Sequence, residues 1–280
     1  MSRIEQALKK VSRDRLETSR VMVDVPDKKV SPGSSNNSKG LDRRNEGAVL
    51  LDVQPLSIAD RMLVAAHENG SVAAEEYNKL RSTIIALTRG EVFLNTLLVT
   101  STASDEGKTI TALNLAISLA KEQDHTVLLV DADLRRPSIH KYLDIEPEFG
   151  LVNCLRDGLP VESALVKTGI GKLVLLPAGE SVKDPLDMLS SMRMREIIEE
   201  LKSRYSERYV IFDTPPAQIF SDAVVLADMV DSTLFVVREN RASMADIQKV
   251  LENFKKHNLL GVVYNDSNTH LKKQNYYYYD

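Results

Sequence analysis

The sequence predicts an α/β fold in which a mostly parallel β-sheet carries helices on both faces. Three observations support this. Short, continuous apolar runs recur along the chain, amphipathic helical stretches separate them, and charged residues gather where the apolar runs end. Continuous apolar runs are the pattern of strands buried on both faces, and alternation with helices implies right-handed βαβ crossovers.

The elements follow in order. The first sixteen residues read as a short amphipathic helix, assigned to 1–17. Ile4, Ala7, Leu8 and Val11 fall at i, i+3, i+4 and i+7, with Arg3, Lys9, Lys10 and Arg13 around them. Such a helix could dock on a partner or on anionic lipid, or simply be solvated. Residues 18–70, with Pro26 and the run Pro32-Gly33-Ser34-Ser35-Asn36-Asn37-Ser38, read as a flexible linker. A helix is expected from Ser71 to Thr88. Strands are expected at Thr96–Thr100, Thr126–Val130, Leu173–Leu176, Tyr209–Phe212, Ser232–Val237 and Leu259–Tyr264. Helices are expected between them at Lys108–Glu122, Ser190–Arg204, Asp222–Ala227 and Ser243–Lys256. The domain so defined spans 71–265, and 266–280 is a polar tail ending in Tyr276, Tyr277, Tyr278, Tyr279 and Asp280.

Composition narrows the function classes. Among 280 residues, 36 Lys and Arg against 40 Asp and Glu give a net charge of −4, which argues against a dedicated nucleic-acid binder. The single Cys154 cannot form an internal disulfide, so a reducing compartment is expected. No run approaches the ~20 apolar residues of a membrane span, and no signal peptide is evident. The expected location is the cytoplasm, with any membrane association peripheral and through a partner.

Chemistry enters at Ser101-Thr102-Ala103-Ser104-Asp105-Glu106-Gly107-Lys108-Thr109, between an expected strand and an expected helix. This is the context of a phosphate-binding loop, although Thr102 stands where the general pattern has its first glycine. In such a loop, backbone N–H groups and the helix N-terminus face phosphate oxygens, Lys108 reaches the β- and γ-phosphates, and the Thr109 hydroxyl ligates Mg²⁺. Val130-Asp131-Ala132-Asp133-Leu134-Arg135-Arg136-Pro137 puts two acids at the end of one strand, and Phe212-Asp213-Thr214-Pro215-Pro216 puts a third at the end of another. Ligands of open parallel sheets bind at the carboxyl edge, so these acids are expected to converge on the nucleotide's metal. The fold is therefore of the P-loop NTPase type.

The three motifs together with the C-terminal tyrosines closely resemble the bacterial tyrosine kinases of capsule and exopolysaccharide systems. The opening Met1-Ser2-Arg3-Ile4-Glu5-Gln6-Ala7-Leu8-Lys9-Lys10 is similar to the subgroup found with exosortase-type loci. The resemblance covers about residues 71–265 and the tail. It implies ATP and Mg²⁺ as cofactors. It assigns Ser104, Asp105, Glu106, Gly107, Lys108, Thr109 and Thr111 to ATP, and Thr109, Asp131 and Asp213 to the metal. Lys108, Asp131, Asp133 and Asp213 become the catalytic set, with Asp133 orienting or deprotonating an acceptor tyrosine. Arg135 and Arg136 could neutralise charge, contact a neighbouring subunit, or simply begin the next helix in solvent.

The same resemblance makes Tyr276–Tyr279 phosphoacceptors for a neighbouring copy in a homo-oligomer, with Glu75 and Arg81 as oligomer contacts. The family pattern there is Glu-x-x-Arg-x-x-Arg, and Asn78 replaces its middle arginine. Asp105 likewise replaces a frequent glycine, which puts a carboxylate near the triphosphate. The implied partners are a membrane-spanning polysaccharide co-polymerase as activator and a phosphotyrosine phosphatase. The alternative is a partition- or division-site ATPase switch, in which water replaces tyrosine as nucleophile and the tail has no catalytic use.

Overall fold

A computed structural model describes residues 60–67, 71–204 and 207–267 of the chain. The expected N-terminal helix, most of the linker and the tyrosines of the tail lie outside the described residues. The order of elements is α1 (Val72–Thr88), β1 (Thr96–Ser101), α2 (Lys108–Ala120), β2 (Thr126–Asp131), α3 (Ile139–Tyr142), α4 (Leu151–Arg156), α5 (Val161–Ala164), β3 (Val166–Lys167), β4 (Leu173–Leu176), α6 (Leu186–Leu189), α7 (Met192–Ser203), β5 (Arg208–Asp213), α8 (Asp222–Ala227), β6 (Ser232–Arg238), α9 (Met244–Asn253) and β7 (Leu259–Asn265).

The seven strands form one sheet in the order β3-β4-β2-β5-β1-β6-β7. Every pairing is parallel except the short antiparallel β3 on β4. The period of two in a strand sorts its side chains into two cores. Leu98, Leu128, Val130, Val210 and Phe212 enter one, with Ile197, Leu226 and Phe254. Leu97, Val99, Val127, Leu129, Tyr209 and Ile211 enter the other, with Ile84 and most of α2. Helix α2 is buried on nearly every side from Thr111 to Ala120, as expected of a helix apolar all round. Serine caps start three longer helices: Ser71, Ser191 and Ser243 accept from the N–H groups of Ala74, Met194 and Asp246.

One expectation changes. The domain begins before Ser71, because Leu63 and Ala65 are buried in the α2-side core. Asn114 of α2 accepts from Ala65 N–H at 2.8 Å and donates to Met62 O at 2.9 Å, so residues 60–67 are not linker. Arg81, expected at an oligomer contact, also has partners within its own chain. Its guanidinium donates to Ser118 O at 3.2 Å and pairs with Glu122 at 3.1 Å, joining α1 to α2. The missing middle arginine fits this, since Asn78 Oδ1 accepts from the hydroxyl of the same Ser118. Glu75 stays exposed, its carboxylate accepting only from Asn78 among the bonds described.

Candidate active site

The register of the three central strands builds the site. Asp131 at the end of β2 pairs in register with Asp213 at the end of β5, and β5 also pairs with β1, whose end opens into the loop 102–107. Lys108 and Thr109 therefore meet both acids without any long-range design beyond strand order. Thr109 Oγ1 donates to Asp213 Oδ2 at 2.7 Å. Lys108 Nζ lies 2.9 Å from Asp133 Oδ2, 3.2 Å from Thr109 Oγ1 and 3.7 Å from Asp213 Oδ1. Asp131 Oδ2 accepts from the N–H groups of Ser138 and Ile139, both at 3.1 Å. The catalytic set expected from the sequence is thus brought together within one cluster.

The loop itself is shaped by two left-handed residues, Asp105 (φ 62°) and Gly107 (φ 86°). Successive N–H groups around such residues can converge on an anion, and the first N–H groups of α2 have no intrahelical acceptor. Side chains outside the loop hold this shape. Asn265, the last residue of β7, donates to Glu106 O at 2.9 Å, and Arg241 donates to Ser104 O at 3.0 Å. A Cβ on Gly107 would lie 2.2 Å from Asn265 Nδ2. Gly107→Ala therefore meets both a backbone penalty of about 1–2 kcal/mol and a broken brace, and is expected to weaken nucleotide binding by about tenfold or more. Titration with a fluorescent ATP analogue reads this directly.

Two residues assigned to ATP place their side chains elsewhere. The Asp105 carboxylate is largely exposed and pairs with Arg241 at 2.9 Å, so it does not confront a triphosphate. Aspartate tolerates the left-handed conformation that glycine serves in the family pattern. The Glu106 carboxyl folds under the loop, accepting from Ala103 N–H at 2.6 Å and from Arg238 N–H at 3.4 Å. Burial pushes its pKa up against those hydrogen bonds. Both residues can present only backbone to phosphate. Thr111 is buried one turn into α2, with Tyr77 of α1 beside its hydroxyl. Sequence reasoning did not name Asn265, Arg238 or Arg241 as braces, because each acts across more than 100 residues of chain.

The electrostatics match a cation and a phosphate chain. Burial lowers the affinity of Lys108 for its proton, but Asp213, Asp133 and Asp131 together outweigh it and hold the amine charged. Burial, then the neighbouring Asp213, pushes Asp131 up to about 7. Burial also raises Asp213 to about 6, opposed by Lys108 and Thr109. Asp131 Oδ1 is buried with no hydrogen-bond partner among the described residues, and Asp213 Oδ1 has just the longer Lys108 contact. Together with the Thr109 hydroxyl these are hard oxygen donors, few in number. That set suits Mg²⁺ shared with phosphates better than an all-protein cage. Among the described residues no group of three or more His, Cys, Asp or Glu side chains forms such a cage.

A stability consequence follows with a defined sign. Both folded-state pKa values lie above the ordinary aspartate value, so the folded protein holds more protons than the unfolded chain between about pH 4 and pH 7. The nucleotide-free protein is expected to lose stability as pH rises through that window. Thermal melts across it should show a shallower decline in Asp131→Asn, which removes one of the two groups. An unchanged slope in that variant would contradict the assignment.

With this geometry in view, residues 97–278 match the CobQ/CobB/MinD/ParA nucleotide binding domain. The chain is 32% identical over 207 residues to the tyrosine-protein kinase YwqD of Bacillus subtilis (strain 168), covering 73% of this chain and 86% of that one. It is 32% identical over 195 residues to the tyrosine-protein kinase CpsD of Streptococcus pneumoniae serotype 4, covering 69% and 84%. The kinase domain of the Escherichia coli tyrosine kinase ETK is similar in structure, with a TM-score of 0.66, 28% identity, and 74% and 82% of the two chains covered. The strand-end acids, the Gly-Lys-Thr loop and these likenesses lead to one conclusion: the chain belongs to the bacterial tyrosine-protein kinase family, within the CobQ/CobB/MinD/ParA class of nucleotide-binding domains.

Proposed function

We propose that this kinase transfers the γ-phosphate of ATP to the clustered tyrosines Tyr276–Tyr279 of a second copy, and that the cycle regulates polymerisation or export of an exopolysaccharide or capsule. The observation that carries the reading is the position of Asp133. Its carboxylate is 2.9 Å from the phosphate-binding amine of Lys108, at the same strand edge as the two metal-facing acids. Mg-ATP supplies the phosphoryl group and the cation that offsets its charge.

The chain's own residues do the rest. Lys108 releases Asp133 and Asp213 to meet the β- and γ-phosphates, and the loop N–H groups cradle them. Thr109, Asp131 and Asp213 would hold Mg²⁺ directly or through water, and the cation would offset phosphate charge. Asp133, freed from the lysine, orients an incoming phenol and can accept its proton at a carboxylate oxygen. Phosphoryl transfer depends chiefly on positioning and charge stabilisation, so this base contribution is the smaller part.

The tail of 266–280 is long enough in sequence to act as a tether, which raises its effective concentration at a neighbour's site. Each phosphate adds about −1.5 to −2 charge, so a heavily modified tail is expected to repel its neighbours and favour dissociation. Activation by a membrane-spanning polysaccharide co-polymerase and reversal by a phosphotyrosine phosphatase complete the cycle. Among the described residues no helix is long and apolar enough to cross a membrane. In this reading a cytoplasmic kinase is held at the inner face of the membrane through an activator on a separate chain.

The test is incubation of purified full-length chain with Mg-ATP, with mapping of phosphosites in wild type, Lys108→Ala and a deletion of Tyr276–Asp280. Phosphotyrosine in the tail of wild type and none in Lys108→Ala is the expected result. ATP hydrolysis with no phosphotyrosine, even with an activator fragment added, would favour the ATPase switch instead.

A further inference from the structure

Beside the active site lies a cavity of about 560 Å³ whose chemistry the reaction does not use. Arg135, Arg136, His140 and Lys141 line it together with Ser138 and Ser181, and no carboxylate does. Arg135 is committed to Asp222 at 2.8 Å, whereas Arg136 and Lys141 are exposed and have no ion-pair partner among the described residues. His140 is held below its ordinary pKa by burial and by the Lys141 charge. Two unpaired cations and two hydroxyls around one concavity form a site for an anion rich in acceptor oxygens.

The position of the cavity is fixed by the catalytic acids. Arg136 N–H donates to Asp133 Oδ1 at 3.1 Å, and Ser138 N–H donates to Asp131 Oδ2 at 3.1 Å. The backbone that lines the cavity is therefore hydrogen-bonded to the carboxylate at which an acceptor tyrosine is received.

We propose that this cavity docks a phosphotyrosine already formed on the Tyr276–Tyr279 run of a second copy while an unmodified tyrosine of the same run occupies the acceptor position. The proposal rests on the kinase reading above. In an extended strand, side chains two residues apart project from the same face, roughly 7 Å apart. The run of four thus holds two same-face pairs, Tyr276 with Tyr278 and Tyr277 with Tyr279, so a phosphate on one member of a pair lies on the same face as the other member when that member is at Asp133. A phosphate, with about −1.5 to −2 charge and three acceptor oxygens, answers the Arg136 and Lys141 pair better than the single carboxylate of Asp280. The first phosphate then primes the addition of the next, giving a graded tail rather than four independent sites.

Synthetic peptides of sequence Gln-Asn-Tyr-Tyr-Tyr-Tyr-Asp, unmodified or phosphorylated at the position of Tyr278, test this by fluorescence anisotropy. The protein is full-length chain, treated with phosphatase and held without ATP, so that binding is read independently of whether the chain phosphorylates anything. The phosphopeptide is expected to bind wild type about tenfold or more tighter than the unmodified one. R136Q/K141Q should abolish that preference and leave the unmodified peptide's affinity unchanged, and R136K/K141R should retain it. Equal binding of the two peptides to wild type overturns the proposal, as does a preference that survives R136Q/K141Q. So does charge-dependent binding of phosphatidylserine vesicles, lost in R136Q/K141Q, with no peptide preference.

Discussion

Replacing Asp213 with asparagine is expected to lower Mg-ATP-dependent phosphotyrosine formation by roughly 10²–10³-fold, the scale seen when one preorganised charge-stabilising group is removed. The nucleotide-free variant should nonetheless be at least as stable as wild type. Asparagine keeps the size of the side chain and can still accept the 2.7 Å hydrogen bond from Thr109. What it loses is the charge, and that charge is disfavoured in the nucleotide-free protein: burial pushes the carboxyl up to about 6. Removing it relieves a penalty that the metal would otherwise offset. It also deletes an oxygen that has no partner apart from the 3.7 Å contact with Lys108. Initial rates at saturating Mg-ATP, measured beside thermal melts without nucleotide, separate the two effects. A folded variant with wild-type rate would remove Asp213 from the metal site.

The grouping of the candidate site residues was legible in the sequence because it is assembled by local rules. Asp131, Asp133 and Asp213 each sit at or just past a strand end, Lys108 starts the helix that follows the loop after β1, and a parallel sheet brings such ends to one edge. The strands were equally legible: Leu173–Leu176 falls where expected, and the others extend the expected runs by one or two residues. The antiparallel β3 has two residues, too few for any periodicity, and was not read.

Contacts between remote segments were not legible. Asn114 looks like a polar interruption in an apolar helix, yet it is buried and satisfied by residues 60–67. Arg81, expected at an oligomer contact, has partners in Ser118 and Glu122 of its own chain that the sequence does not announce. Asp105 raised the concern of a carboxylate at the triphosphate, which the positive φ and the Arg241 partner remove. In each case the residue type is visible in the sequence, but the direction of its side chain depends on a partner supplied by tertiary packing.

Arg135 presents the same problem and carries the second large expected effect. Its Nε and Nη2 donate to Asp222 Oδ2 and Oδ1 at 2.8 and 3.0 Å, a bidentate pair. Nη1 reaches Lys183 O at 2.9 Å, and the Phe220 ring centroid lies 4.2 Å from the guanidinium carbon. Asp222, at the start of α8, is 0% exposed, whereas the Arg135 side chain is 17% exposed. The two halves of the pair are therefore not equivalent. Arg135→Ala leaves a fully buried carboxylate without its cation, a change that costs about 3–5 kcal/mol in comparable sites. Asp222→Ala leaves an arginine that still has Lys183 O, Asp184 and solvent, and is expected to cost less. The double variant should be no worse than Arg135→Ala alone, because it removes the stranded charge together with the pair. Midpoints of urea unfolding for the three variants check this ordering. Activity should fall with Arg135→Ala as well, since the pair ties the segment following Asp133 to the segment following Asp213 and so helps hold those two carboxylates on either side of Lys108. If Arg135→Ala unfolds at the wild-type midpoint, the pair is dispensable and the spacing of the two acids must be maintained by the strand register of β2 and β5 alone.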